Sequence, residues 1–365
     1  MKIERAIISG GGTGGHIFPA IAIADEIKRR NPNAEILFVG ANGKMEMEKV
    51  PAAGYKIKGL TIAGFQRKLT LSNFLLPFKI IASLWNAIKI IQEFKPQVVI
   101  GVGGYASGPT LQAAIFLKIP TLIQEQNSFP GKTNKILSGK VKAICTAYEG
   151  LEKFFPKNKI VLTGNPVRPE MIEIEGKRNE AFEFYGLNPD KKTILVIGGS
   201  LGARTLNESI KSHLQELQKN EIQVLWQCGK VYVDSLTKEL EKIDLRGIKM
   251  VQFISRMDLA YTLADVIISR AGAISVSELC LVKKPVILVP SPNVAEDHQT
   301  KNAMALVNKN AAVLVKDSEA REQLVSKTIE LIKNTELQVT LISEISKLGK
   351  PDATNSIVNE IEKII

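Results

Sequence analysis

His16 directly follows the run Gly10-Gly-Gly-Thr-Gly-Gly15. Glycine lets backbone N–H groups come close to an anion, and a helix after the loop adds outward-pointing amides and a positive dipole end. The run is therefore a candidate phosphate cradle. A histidine at its mouth can take a proton from an attacking hydroxyl at neutral pH. The same ring also suits a structural donor on a helix, and both roles stay open. Gly198-Gly-Ser-Leu-Gly-Ala203 repeats the arrangement in the other half of the chain, which points to two phosphate-bearing ligands, one per half. A third glycine turn, Ser269-Arg-Ala-Gly272, precedes Glu278. That glutamate reads either as an acceptor for ribose hydroxyls or as the far end of a capping box, Ser275-x-x-Glu278. Of the other two histidines, His298 stands in a polar run suited to opening a helix, and His213 reads as solvent-facing on a helix surface.

The same residues exclude other chemistries. Gly10, Gly12 and Gly15 fit G-x-G-x-x-G, but a dinucleotide site also needs an acid at the end of the second strand. Here that strand ends Phe38-Val-Gly-Ala-Asn42, and no carboxylate follows until Glu46. A nicotinamide oxidoreductase is therefore disfavoured. Gly131-Lys-Thr133 is not a P-loop, because Gln126 stands where the leading glycine belongs. No histidine pair has metal-ligand spacing, and no two aspartates flank a single residue, so neither a metal site nor a cofactor is expected. A departing diphosphate would then be stabilised by backbone amides, a helix dipole and arginine. Cys145, Cys228 and Cys280 lie far apart and read as buried hydrophobes in a reducing compartment.

These loops need strands behind them. Apolar runs that read as buried parallel strands are 6–9, 36–39, 98–102, 121–124, 143–146 and 160–163, then 193–197, 223–228, 249–253, 266–269, 286–289 and 312–315. Helical stretches separate them, so each half is an α/β, doubly wound parallel sheet that binds ligands beyond the carboxyl ends of its strands. A length of 365 residues with 45% apolar content suits two domains. The boundary is expected at Gly164-Asn-Pro-Val-Arg-Pro169, where two prolines break regular structure. Residues 1–164 form one domain and 165–349 the other. Ile357, Val358, Ile361, Ile364 and Ile365 recur at helical spacing near the C-terminus and must bury a stripe somewhere. No long apolar leader opens the chain, so secretion is not expected.

Lys and Arg outnumber Asp and Glu by 48 to 37, a net charge of +11, which attracts some polyanion. Nucleic acid is not that partner: aromatics are only 6% and do not alternate with basic residues in a stacking pattern.

Taken in order, Gly11-Gly-Thr-Gly-Gly-His16, Gly103-Gly-Tyr-Ala-Ser-Gly108, Glu125-Gln-Asn-Ser-Phe-Pro-Gly131, Gly164-Asn-Pro-Val-Arg168, Gly198-Gly-Ser-Leu-Gly-Ala203, Ser269-Arg-Ala-Gly272 and His298-Gln299 closely resemble the MurG family along nearly the whole chain. These bacterial peptidoglycan glycosyltransferases add N-acetylglucosamine to lipid I. The resemblance implies a GT-B fold, two Rossmann-like domains facing a deep cleft, with a C-terminal helix at 350–365 returning to the N-terminal domain. It implies UDP-N-acetylglucosamine as donor, undecaprenyl-diphosphate-linked N-acetylmuramyl-pentapeptide as acceptor, and inversion without a required metal. Carried over by position, His16 is similar to the proposed general base, and Thr13, Gly14, Gly15 and Asn127 to residues lining the sugar and diphosphate region. Arg168 and Ser200 resemble contacts to the donor diphosphate, and Ile254 the residue whose backbone reads uracil. Ala273, Ile274, Ser275, Val276, Ser277 and Glu278 resemble the turn and helix start that hold ribose, phosphate and sugar, and Gln299 a donor-sugar contact. His298 departs from a second glutamine found in some relatives. A UDP-N-acetylglucosamine 2-epimerase on the same fold, or a non-enzymatic anionic-lipid binder, is the alternative reading.

The acceptor's lipid tail calls for an anionic membrane surface and a peripheral place on the cytoplasmic face of the plasma membrane. Arg67–Lys79 joins bulky apolar residues to flanking cations, as an interfacial patch would. Leu69, Leu71, Phe74, Leu75 and Leu76 are the residues expected to enter it. Lys79, Asn86 and Lys89 interrupt the following apolar stretch too often for a spanning helix.

Overall fold

Two all-parallel sheets account for the apolar runs read as strands, and for one strand that reading passes over. The computed structural model describes residues 2–62, 76–167 and 172–365, the side chains of 76–80 and of Ala295 excepted. The described chain divides into two compact units, Met1–Val167 with Pro351–Ile365, and Arg168–Lys350.

The first unit runs β1 (Arg5–Ser9), α1 (Gly14–Arg30), β2 (Glu35–Ala41), α2 (Glu46–Ala52), β3 (Lys56–Leu60), α3 (Leu76–Phe94), β4 (Val98–Gly101), α4 (Ser107–Phe116), β5 (Thr121–Glu125), α5 (Lys132–Leu137), β6 (Ala143–Thr146) and β7 (Ile160–Leu162). Its sheet order is β3-β2-β1-β4-β5-β6-β7. Successive side chains of a strand point to opposite faces. Ile7 accordingly packs with Ala87, Ile91, Leu111 and Ala114 from α3 and α4, while Ile8 packs with Ile17, Ile23 and Ile27 from α1. Both faces are covered, which is why these strands read as unbroken apolar runs. The unexpected strand is β3, an edge strand whose Lys56 and Lys58 are exposed and whose apolar content is correspondingly thin.

Strand order reverses between β1 and β4. Register sets Ser9 beside Gly101, and Val102 N donates to Ser9 O at 2.9 Å, so the loops leaving the two strands emerge side by side. This is the switch point at which open α/β sheets bind ligands.

The second unit runs α6 (Arg178–Tyr185), β8 (Thr193–Ile197), α7 (Arg204–Ser212), α8 (Leu214–Lys219), β9 (Gln223–Gln227), α9 (Val233–Glu239), β10 (Ile248–Val251), α10 (Met257–Leu263), β11 (Val266–Ser269), α11 (Ala273–Val282), β12 (Val286–Leu288), α12 (His298–Val307), β13 (Val313–Leu314), α13 (Ala320–Lys333) and α14 (Thr335–Ser346). Its order, β10-β9-β8-β11-β12-β13, reverses between β8 and β11. Ser269 lies beside Ile197, so here too two glycine loops leave adjacent strand ends.

The last helix, α15 (Ala353–Ile364), belongs to the first unit. Ile357, Val358 and Ile361 are fully buried in the same cluster as Ile17 and Ile23 of α1. Arg30 on α1 seals the edge by donating to Asn359 Oδ1 at 2.8 Å and Glu362 Oε2 at 2.9 Å. Among the described residues, no helix is long and apolar enough to cross a membrane.

Candidate active site

In the first unit the glycine loop after β1 is shaped by two side chains. His16, in the first turn of α1, has Nδ1 at 2.9 Å from Gly11 O. A carbonyl only accepts, so Nδ1 carries the proton and the lone pair of the neutral ring sits on Nε2. Glu46, at the start of α2 and 1% exposed, accepts from Gly12 N at 2.8 Å through Oε2 and from Ala41 N at 2.9 Å through Oε1. The first carboxylate after β2 is thus turned inward, onto the loop. With Gly12 N–H engaged, the amides left to serve an anion are those of Thr13, Gly14 and Gly15 as α1 begins.

The loop after β4 lies against this one. A Cβ on Gly103 would stand 2.9 Å from His16 Cδ2 and Nε2, and one on Gly104 would strike Gly11 O. Both glycines have positive φ, +95° and +86°. They are glycines because the histidine and its carbonyl partner occupy the space.

A second buried carboxylate organises the loop after β5. Glu125, 2% exposed, accepts from Asn127 N at 3.0 Å, Gly131 N at 3.1 Å and Asn134 Nδ2 at 2.8 Å. Asn127 is thereby fixed at the carboxyl edge of the sheet. Gln124 donates to Asn165 Oδ1 at 2.9 Å and Asn165 donates to Gln126 O at 3.0 Å, tying this strand end to the segment after β7.

In the second unit Ser200 is exposed at the tip of the loop after β8. A Cβ on Gly202 would strike Cys228 O, and one on Gly229 would strike the Gly202 backbone, so two positive-φ glycines let the loops after β8 and β9 touch. Asn207 braces that contact, accepting from Trp226 Nε1 at 2.9 Å and donating to Cys228 O at 2.9 Å. Ile254 is 2% exposed and its N–H donates to Gln227 Oε1 at 3.3 Å.

The capping-box reading of Glu278 does not hold. Helix α11 begins at Ala273 with Gly272 as its N-cap, so Ser275 is already inside the first turn and Glu278 lies too far along to reach a cap amide. Glu278 Oε2 instead accepts the Tyr261 hydroxyl at 3.0 Å. Val276 points into the core at 1% exposure and its N–H is used by Gly272 O. Within 273–278, the first-turn amides and the partly exposed Ser275 and Glu278 side chains are what can face a ligand. Gln299, at the start of α12, accepts from Ser291 N at 2.9 Å through Oε1, which orients its side-chain amide.

Arg270 Nη1 is consumed by Asp317 Oδ1 at 2.5 Å, Val289 O and Pro290 O, so it locks the ends of β11 and β12. Arg168, and the residues expected to enter a membrane, Leu69, Leu71, Phe74 and Leu75 with the side chain of Leu76, lie outside the described residues. His213 is not a solvent-facing surface residue; half-buried between α7 and α8, it places Nδ1 2.8 Å from Ser209 O.

Several organising residues carried no motif. Asp258, 6% exposed, is gripped by Arg256 through both oxygens, at 2.9 and 2.8 Å, and by Lys177 at 3.0 Å. The Arg256 guanidinium first, with Lys177 beside it, holds the Asp258 carboxyl well below the usual carboxylate range. Tyr185 donates to Arg256 O at 3.1 Å, and burial pushes its hydroxyl up to about 12. This cluster pins the segment that follows Ile254. The three cysteines are buried thiols, and burial pushes Cys280 up to about 12. Among the described residues, no three His, Cys, Asp or Glu side chains are grouped to hold a metal ion.

Comparison with known proteins extends this geometry. Residues 6–146 match the glycosyltransferase family 28 N-terminal domain, and residues 193–357 the C-terminal domain of the same family. A protein of Cytophaga hutchinsonii, named UDP-N-acetylglucosamine--N-acetylmuramyl-(pentapeptide) pyrophosphoryl-undecaprenol N-acetylglucosamine transferase, is 58% identical over 100% of this chain and 98% of its own length. A protein of the same name from Flavobacterium psychrophilum is 54% identical over 100% of this chain and 99% of its own. The crystal structure of Acinetobacter baumannii MurG aligns with a TM-score of 0.80 and 30% identity, covering 99% of each chain.

Proposed function

Because the chain belongs to glycosyltransferase family 28, we propose that it transfers N-acetylglucosamine from UDP-N-acetylglucosamine to the 4-hydroxyl of undecaprenyl-diphosphate-linked N-acetylmuramyl-pentapeptide, yielding lipid II and UDP for peptidoglycan. It is a UDP-N-acetylglucosamine-dependent glycosyltransferase with two Rossmann-like domains of the GT-B class. The observation that carries the reaction is full-length identity of 58% to a relative whose name states it.

His16 is the general base in this reading. Nε2 takes the proton of the acceptor hydroxyl, the oxygen attacks the anomeric carbon with inversion, and the bond to the diphosphate breaks with its electron pair leaving on UDP. Support comes from the Gly11 carbonyl, which keeps the proton on Nδ1. Thr13, Gly14, Gly15 and Asn127 serve the sugar and diphosphate region of the first unit. Arg168, Ser200 and the amides of 273–275 serve the donor diphosphate, Glu278 the ribose, the Ile254 backbone the uracil, and Gln299 the donor sugar. Backbone amides at helix starts supply the anion stabilisation.

The protein works at the cytoplasmic face of the membrane as a peripheral enzyme. Supporting this, Ile81 and Trp85 stand one turn apart on α3 at 65% and 69% exposure, with Phe116 at 72% on the neighbouring α4. Exposed Lys89 and Lys118 stand nearby in sequence, giving an apolar and cationic pattern suited to an anionic interface. A helical period of 3.6 leaves α3 an outer face, and Ile81 and Trp85 fall on it.

The test is incubation of the purified chain with labelled UDP-N-acetylglucosamine and a short-chain lipid I analogue. Label should enter the lipid and UDP should appear only when the acceptor is present. Release of UDP with C2 epimerisation and no acceptor would establish the epimerase alternative, and no saturable donor binding would leave a lipid binder.

A further inference from the structure

Glu46 and His16 act on the two ends of one peptide group. The carbonyl of Gly11 and the N–H of Gly12 belong to the same planar amide, whose resonance couples its oxygen to its nitrogen. His16 Nδ1 donates to that oxygen at 2.9 Å, and Glu46 Oε2 accepts from that N–H at 2.8 Å. The other carboxylate oxygen is held by Ala41 N at 2.9 Å, so Glu46 is fixed at both oxygens within the protein interior.

The surroundings are built around this arrangement. A Cβ on Gly11 would collide with the Glu46 carboxylate, and one on Gly40 would stand 2.5 Å from Glu46 Cγ. The two glycines leave a channel through which the side chain reaches the loop. On the opposite side, Gly104 presses its backbone against Gly11, where a Cβ would strike the carbonyl oxygen. The amide is therefore enclosed, with its direction set from three sides.

We propose that Glu46 is a positioning residue for His16, acting through the Gly11–Gly12 peptide as a carboxylate–amide–imidazole relay. This rests on the reading of His16 as the base. A carboxylate accepting the amide N–H draws charge toward nitrogen and makes the carbonyl oxygen a better acceptor, since linked hydrogen bonds polarise one another in a low-dielectric interior. The stronger carbonyl holds Nδ1–H more firmly, which fixes the ring orientation and the Nε2 lone pair. Directly bonded carboxylates do the same in other histidine sites. Here a peptide stands between the two, so the negative charge is kept away from the arriving diphosphates while its orienting effect is retained. The glycine loop then has two tasks: Thr13 to Gly15 face the anion, and Gly11 and Gly12 form the relay.

The test is nitrogen-15 NMR of histidine-labelled full-length protein, with the His16 signals assigned by their loss in His16→Gln. Above its titration the wild-type ring should be the Nδ1–H tautomer, the minor form of a free imidazole. Glu46→Gln should shift the ring toward Nε2–H and lower kcat by about tenfold, part of what a general base contributes, with KM for UDP-N-acetylglucosamine unchanged. If Glu46→Gln does not melt cooperatively, Glu46→Asp takes its place, keeping the charge but too short to span both amides. An Nε2–H ring in the wild type overturns the proposal without any variant, and so does an unchanged tautomer in a folded Glu46 variant. Full activity in His16→Ala would instead remove the base assignment while leaving the tautomer result standing.

Discussion

Tyr261 on α10, 1% exposed, donates its hydroxyl to Glu278 Oε2 on α11 at 3.0 Å. Burial, and then the Glu278 carboxylate, push the Tyr261 hydroxyl well above its ordinary range, so it remains a donor at every working pH. One carboxylate oxygen is thereby anchored to the core. Glu278→Ala should raise KM for UDP-N-acetylglucosamine by about tenfold or more, the scale of a hydrogen bond to a charged group. Tyr261→Phe should raise it by roughly threefold, by releasing the anchor. Steady-state kinetics with a melting curve decides: a lower melting temperature with KM unmoved would make Glu278 structural.

His16→Ala should lower kcat by about 10²- to 10⁴-fold, the contribution of a positioned base. Donor affinity measured by calorimetry should stay the same. A variant that lost UDP-N-acetylglucosamine binding in proportion to rate would place His16 in binding instead.

Gly104→Ala should be disproportionately harmful for a single methyl. Its φ of +86° disfavours any side chain, and the added carbon would press on Gly11 O, which holds the His16 ring. A loss of about 1–3 kcal/mol in urea unfolding is expected, together with a fall in kcat. Normal activity in a destabilised protein would show that the two loops can separate without disturbing His16.

The Asp258 cluster makes stability pH-dependent. Its carboxyl is held below the unfolded value of about 4 by Arg256 first and then Lys177. The stabilisation is therefore fully present above the unfolded pKa and is lost as pH falls toward the folded one. Asp258→Asn should cost about 1.5–3 kcal/mol at neutral pH, as for hydrogen bonds to a charged group whose cations are partly in water. The gap from the wild type should narrow in urea titrations below about pH 4. A gap of constant size across that range would mean the aspartate acts by packing alone.

Trp85→Glu and Ile81→Glu should weaken sedimentation with anionic vesicles and leave the melting temperature unchanged, because both side chains are largely exposed. Charge reversal at Arg67, Lys68 and Lys79 tests the preceding segment in the same assay. Unchanged vesicle binding in both sets would remove this face from the interface.

Much of the fold was legible because parallel strands covered on both faces must be apolar at every position. The runs around Ile7, Val99, Leu195 and Ile267 show it. β3 escaped because an edge strand with Lys56 and Lys58 facing water has no such run. The glycine loops were legible for a related reason: positive φ at Gly12, Gly103 and Gly202 leaves little choice of residue. The capping box at Ser275 and Glu278 misled because four letters match the motif wherever a helix starts, and this helix starts at Ala273.

By themselves, the amino acids determined two doubly wound sheets, the glycine turns at their switch points and a histidine at the mouth of one turn, since each depends on local backbone geometry or on period. Only the tertiary structure decided which atom of His16 holds the proton, where Glu46 and Glu125 spend their charge, and that α15 buries its stripe on α1. Those outcomes join residues far apart in the chain. Hydrogen bonds between them form only after packing has excluded water and brought donor and acceptor within reach, and no local pattern records that event.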